Sequence, residues 1–148
     1  MNTLFEEAKN DSELQSTINI EELLEHAENV DNDYIGDHSL KTISEEIVQV
    51  LKSENISIEN LYKYCNSLLH YRFIDEVYHI HKGKHIRWIR NKKLTNGGIV
   101  VDVKFTDLGT QILCKTKNRF IQYKFDECIT FQKLSDDELL ILQLKDSL

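Results

Sequence analysis

Three histidines, His79, His81 and His85, stand within seven residues of one another. On an extended backbone alternate side chains share a face, so His79 and His81 would point the same way. Such a pair could hold a zinc ion if a cysteine or carboxylate joined it. The same spacing is common for surface histidines near a strand start, and no metal site is assigned. The three cysteines, Cys65, Cys114 and Cys128, are far apart and form no Cys-x-x-Cys pair. A catalytic thiol needs a neighbouring group that depresses its pKa. Cys114 and Cys128 instead fall inside apolar alternating runs, where cysteine serves as a small apolar side chain. Asp102, Asp107 and Asp126 have no pairing that suggests acid–base work. Gly97-Gly98 lacks the Lys-Ser/Thr of a phosphate loop. The expectation is a protein that is not an enzyme and has no cofactor.

A basic run carries more chemistry. Lys82, Lys84, Arg87, Arg90, Lys92 and Lys93 fall within twelve residues, with Trp88 among them. Lys115, Lys117, Arg119 and Lys124 follow on later strands and turns. Cations that meet phosphates, beside a ring on which a base stacks, are what nucleic-acid binding requires. Trp88 shares its strand face with Ile86, so it is either this ring or part of the core. Tyr123 and Phe125, with Phe120, could line an aromatic cage for a methylated cation, although their alternate spacing also suits a core.

The formal charge of −7 conceals a strong separation along the chain. Residues 1–40 carry eleven acids against Lys9, a charge of −10. Residues 81–133 carry twelve bases against four acids, a charge of +8. An acidic arm beside a basic module has three readings. The two attract each other; the basic surface takes an external polyanion for which the arm competes; or the arm docks on another basic protein.

These side chains must be positioned by local structure, and the hydrophobic periods say how. The 148 residues suffice for one domain with an appended arm. Residues 1–38 read as an acidic arm, weakly helical or disordered. Residues 39–81 read as a helical hairpin. Its first helix starts at Thr42 with Glu45 as reciprocal cap and carries the stripe Ile43, Ile47, Val50 and Leu51. Its second is capped by Ser57, with Ile58, Leu61, Tyr62, Cys65, Leu68 and Leu69 at helical spacing. The alternation from Val77 to His81 leans towards extended structure.

Residues 82–133 read as five short strands with tight turns at Asn96-Gly97-Gly98, Asp107-Leu108-Gly109 and Thr116–Asn118. Strands so spaced predict a small antiparallel β-barrel of SH3-like kind. Residues 134–148 read as a C-terminal helix, with Ser135 and Glu138 forming a capping box and a run of leucines that must be covered. The fold class is therefore α+β.

The runs GKHIRWIRN, LTNGGIVVDV and KFDECITFQKLSDDELLIL resemble small uncharacterised proteins of nucleocytoplasmic large DNA viruses, across residues 82–145. The resemblance implies a viral setting and transfers no catalytic residue.

Taken together, the sequence points to a non-catalytic protein-interaction or assembly module with a basic small-barrel surface. The alternative is RNA or DNA binding through Lys82–Lys93, and a metal-dependent enzyme is a distant third. The residues assigned to an acidic partner or nucleic acid are Lys82, Lys84, Arg87, Arg90, Lys92, Lys93, Lys117 and Arg119. A homo-oligomer through the C-terminal helix is a further expectation. Without a secretory signal, an apolar run long enough for a bilayer or a disulfide pattern, the expected location is intracellular, cytoplasmic or virion-associated, and no membrane partner is expected.

Overall fold

The computed structural model of the chain describes residues 36–147. The acidic arm assigned to 1–38 lies outside the described residues except for its last three. The chain divides into two compact units, one of residues 44–133 and one that includes 36–43 and 134–147. Among the described residues no helix is long and apolar enough to cross a membrane.

Helix α1 (Leu40–Ser53) starts two residues before the expected Thr42. The cap explains the shift. Thr42 N–H donates to Ser39 Oγ at 3.2 Å and Ser39 N–H donates to Thr42 Oγ1 at 2.8 Å, so Thr42 takes the reciprocal role expected of Glu45. Ile43, Ile47 and Leu51 form its buried stripe. The chain reverses at Asn55, whose φ of 59° places it in the left-handed region, and α2 (Ile58–Ser67) follows. Ser57 caps it as expected, accepting from Asn60 N–H at 3.3 Å.

The buried face of α2 is rotated from the expected one. Tyr64 and Leu68 are buried, while Ile58, Tyr62 and Leu69 lie exposed. The Tyr64 hydroxyl donates to the Lys92 carbonyl at 3.0 Å, which fixes the rotation through a polar tip on an apolar ring.

Seven strands form one antiparallel sheet: β1 (Tyr71–Ile74), β2 (His85–Arg90), β3 (Lys93–Leu94), β4 (Gly98–Thr106), β5 (Gly109–Lys115), β6 (Phe120–Lys124) and β7 (Ile129–Lys133). The order is β1-β7-β2-β4-β5-β6, with β3 paired to β2 alone. The path is open, so the expected barrel is not closed. The five expected strands are present. β1 and β3 are additions, and β1 places the start of the sheet inside the segment read as a helical hairpin. His70, with φ of 68°, breaks the helical path just before it.

The segment after β1 is not a strand either. Val77–His79 forms a 3-10 turn, so His79 and His81 do not share a strand face. Two buried polar side chains account for this. Arg72 and Gln132 stand opposite each other across β1 and β7. Arg72 donates to the His79 carbonyl at 3.3 Å. Gln132 donates to the same carbonyl at 3.3 Å and accepts from His81 N–H at 2.8 Å. These bonds replace the ladder that an extended segment would need.

The core lies on the inner face of the sheet. Ile74, Ile80, Ile86, Trp88, Val100, Ile112, Cys114 and Tyr123 pack together, with Val77, Val103, Ile121, Phe125 and Cys128 around them. Val100 and Val103 both join this core although their spacing of three contradicts strand alternation. A bulge between Val100 and Asp102 resolves the conflict. The Trp88 and Tyr123 rings stack with centroids 4.1 Å apart and planes at 15°. They belong to β2 and β6, separated by two strands in the sheet, so the sheet curls until its inner face meets itself.

Helix α3 (Asp136–Ser147) carries the expected box: Glu138 N–H donates to Ser135 Oγ at 3.0 Å, and Ser135 N–H donates to Glu138 Oε1 at 2.9 Å. Leu139, Leu140, Ile141 and Leu142 are all buried within the single chain.

Replacing Gln132 by Leu orphans the His81 N–H and leaves the His79 carbonyl short of a donor. We expect the Gln132→Leu variant to lose about 2 kcal/mol in denaturant unfolding, with hydrogen exchange accelerated first at residues 79–81.

Candidate functional site

The cations of the basic run do not converge. Lys82 is exposed, with its ammonium 3.5 Å from Asp102. Lys84 is half-buried, and its carbonyl accepts from Val100 N–H at 2.9 Å. Arg87 is a structural clamp: its Nε donates to the Thr95 carbonyl at 2.8 Å and its guanidinium to the Ser67 carbonyl at 3.2 Å. Arg90 and Lys93 are exposed and stand opposite each other at the β2–β3 turn, where Lys92 has φ of 64°. Strand β2 separates Lys84 from this turn by about 20 Å at the usual rise per residue. Lys82–Lys93 is thus a contiguous run in sequence and two separate groups in space.

A groove of about 1000 Å³ gathers a different set. Trp88, Ile99, Val101 and Ile121 supply its apolar surface. Lys115, Lys117 and Arg119 supply cations, and His85, Thr95, Asn96, Gly97, Gly98 and Thr116 complete it. No carboxylate lies among its lining residues. Of the residues assigned from the sequence, Lys117 and Arg119 are here, and Lys115 joins them.

Each part of the groove has a local cause. The β5–β6 turn is closed by Thr116 N–H donating to the Arg119 carbonyl at 2.9 Å, which holds Lys117 and Arg119 on a tight reversal. Register places Ile99 opposite Lys115, and Lys115 opposite Phe120. Gly97, with φ of +73°, lets the chain enter β4 against β2; a Cβ there would fall 1.8 Å from the Ile86 carbonyl oxygen. Trp88 lies on the groove but is only 4 % exposed and stacked on Tyr123, so it is core and not a free platform for a base. Tyr123 is buried, and Phe120 points to the opposite strand face, so the three aromatics of β6 and its end form no cage.

His85 lies in the groove with Nδ1 2.8 Å from the Tyr71 hydroxyl. Burial, with the nearby Arg87 and Lys133 cations, pushes its pKa below the ordinary value of 6.5. Burial raises the Tyr71 pKa, opposed by Arg87, so the pair meets as two neutral groups at neutral pH.

The thiols are poor nucleophiles. Burial pushes Cys114 up to about 12, and Cys65 and Cys128 are also raised by burial. Among the described residues no group of three or more His, Cys, Asp or Glu side chains could hold a metal ion.

The sequence held no direct sign of Thr95, Ile99 and Val101 as groove residues. Their role follows from register and from the bulge. The Asn96-Gly97-Gly98 turn was visible, but not its approach to β2.

Two outcomes test this geometry. Gly97→Ala should destabilise the protein by about 3 kcal/mol, from positive φ and backbone collision together. Because the folded-state pKa of His85 is lowered, the unfolded chain takes the proton first as pH falls below 6.5. Thermal stability should therefore fall on acidification through that window, and His85→Gln should reduce the fall. No family model, curated protein or solved structure matches this chain.

Proposed function

We propose that this protein is a non-catalytic interaction module that takes an acidic segment of a partner protein in the groove between the β5–β6 turn and the start of β4. One observation carries this reading. Apolar surface from Trp88, Ile99, Val101 and Ile121 adjoins Lys115, Lys117 and Arg119, and no carboxylate interrupts the lining. Apolar side chains of the partner would supply affinity there, and its carboxylates would supply orientation and encounter rate. The curled sheet is read as an incomplete small barrel of SH3-like kind, with the groove at its open mouth. A viral assembly or replication complex, the setting implied by the resemblance of residues 82–145, belongs to the same proposal.

A second reading, single-stranded nucleic acid, rests on Phe120. This ring is 61 % exposed and sits across from Lys115, where a base could stack on it. The apolar groove favours the peptide, because a phosphate backbone has no use for Ile99 and Val101.

The full-length protein decides between them. Its sole tryptophan, Trp88, lies in the groove and reports occupancy through its emission. A pool of octapeptides alternating glutamate with Val, Ile, Leu or Phe should bind, and Lys117→Glu with Arg119→Glu should weaken it about tenfold. Binding of oligodeoxythymidylate with no response to the acidic pool would replace the proposal by the second reading.

A further inference from the structure

Strand β6 ends the sheet: β5 pairs with it on one side, and no strand of the described residues pairs with it on the other. Which of its backbone groups face the open side follows from the turn. Thr116 N–H donates to the Arg119 carbonyl directly across the hairpin, so this is a hydrogen-bonded pair. Antiparallel pairs alternate between bonded and non-bonded. With the register Lys115–Phe120, Cys114–Ile121, Leu113–Gln122, Ile112–Tyr123 and Gln111–Lys124, the bonded pairs are those of Ile121 and Tyr123. Phe120, Gln122 and Lys124 therefore turn their N–H and C=O groups away from β5.

Phe120 and Gln122 are exposed, and among the described residues no backbone hydrogen bond is made on their outward side. Ile121, between them, faces inward and lines the groove. At one end of this edge stand Lys115, Lys117 and Arg119. At the other, Lys124 is already engaged, with its ammonium 3.8 Å from Glu127. Among the described residues, Lys115, Lys117 and Arg119 have no carboxylate partner, and they coincide with the unpaired backbone at the turn end of β6.

The geometry points to β-strand addition: an extended acidic segment of a partner protein pairs with the edge of β6, sends alternate apolar side chains into the groove beside Ile121, and sets its carboxylates against Lys115, Lys117 and Arg119. This rests on the reading of the groove as a site for an acidic segment and adds how that segment is held. Main-chain bonds supply affinity in such docking, and the groove selects the inward-facing side chains. Charge complementarity fixes the occupant, because the cations at the turn end repel a basic strand and a neutral one leaves them uncompensated.

The edge also shows how to test the idea without breaking the fold. The Gln122 N–H serves no bond to β5, so proline there should leave the β5–β6 ladder intact while removing the donor a new strand needs. Among the described residues the Gln122 side chain donates only to the half-buried Gln111 side chain, at 3.2 Å. Full-length wild type, Gln122→Ala and Gln122→Pro are titrated with the acidic octapeptide pool, using Trp88 emission. The alanine variant should bind like wild type and the proline variant at least tenfold more weakly. In parallel, wild type is titrated with the same pool N-methylated at alternate backbone nitrogens, in both frames. One frame should lose binding by at least tenfold while the other keeps it, and this readout does not depend on any variant folding.

Equal binding by both methylated frames would overturn strand addition while the acidic-segment reading stood, provided that Lys117→Glu with Arg119→Glu still weakened binding. No binding of the unmodified pool would overturn both. A wild-type dimer that Gln122→Pro renders monomeric would assign the edge to a second copy of this chain and overturn the proposal.

Discussion

The stack of Trp88 on Tyr123 is the interaction on which the rest of the sheet depends. The two rings come from strands that are not neighbours, and their centroids lie 4.1 Å apart. A stacked aromatic pair contributes about 1 kcal/mol beyond the area it buries, and here it does so across the inside of a curl. The Tyr123 hydroxyl, 2.8 Å from Thr130 Oγ1 on β7, ties the same ring to a third strand. Burial raises the Tyr123 pKa well beyond its ordinary value, so this hydroxyl stays neutral and hydrogen-bonded. The curl makes an inner face that is core at its centre and groove at its mouth. Without it, Ile99 and Ile121 would stand on the flanks of a flat sheet.

A second constraint is the handling of buried polar groups. Arg72 and Gln132 are 5 % and 3 % exposed. They carry the backbone of His79–His81 in place of a ladder. Gln132 offers both a donor and an acceptor, which suits it to a segment presenting a carbonyl and an N–H two residues apart. A polar side chain on the inner strand β7 thus determines the path of a connection more than fifty residues away in sequence, which no local propensity could reveal.

Much of the architecture was legible where one physical signal dominated. The alternation of Ile86 and Trp88, the turn glycines, and the caps at Ser57 and Ser135 gave the helical hairpin, the strands from His85 onwards and the last helix. Legibility failed where long-range contacts overrode the local period. Tyr64 turned α2 through a bond to the Lys92 carbonyl in the β2–β3 turn. The bulge in β4 let Val100 and Val103 share a face. His70 ended the helical path with a left-handed residue that carries no glycine signature. For the groove, linear density of charge was a poor guide. Arg87 has an internal structural role, and Lys82 is balanced by Asp102. The groove cations come instead from a later, shorter turn, brought beside Ile99 by strand register alone.

The bulge in β4 separates two properties that strands usually encode together. Val101 is the extra residue, and on either side of it pairing with β5 runs on in order, Val100 opposite Cys114 and Asp102 opposite Leu113. Deleting Val101 would leave every partnership and every inward side chain where it is, yet would straighten the strand and relax its added twist. Part of the curvature that the Trp88–Tyr123 stack closes therefore comes from one supernumerary position, and the width of the mouth can be retuned there by evolution or by design without rewriting the interior.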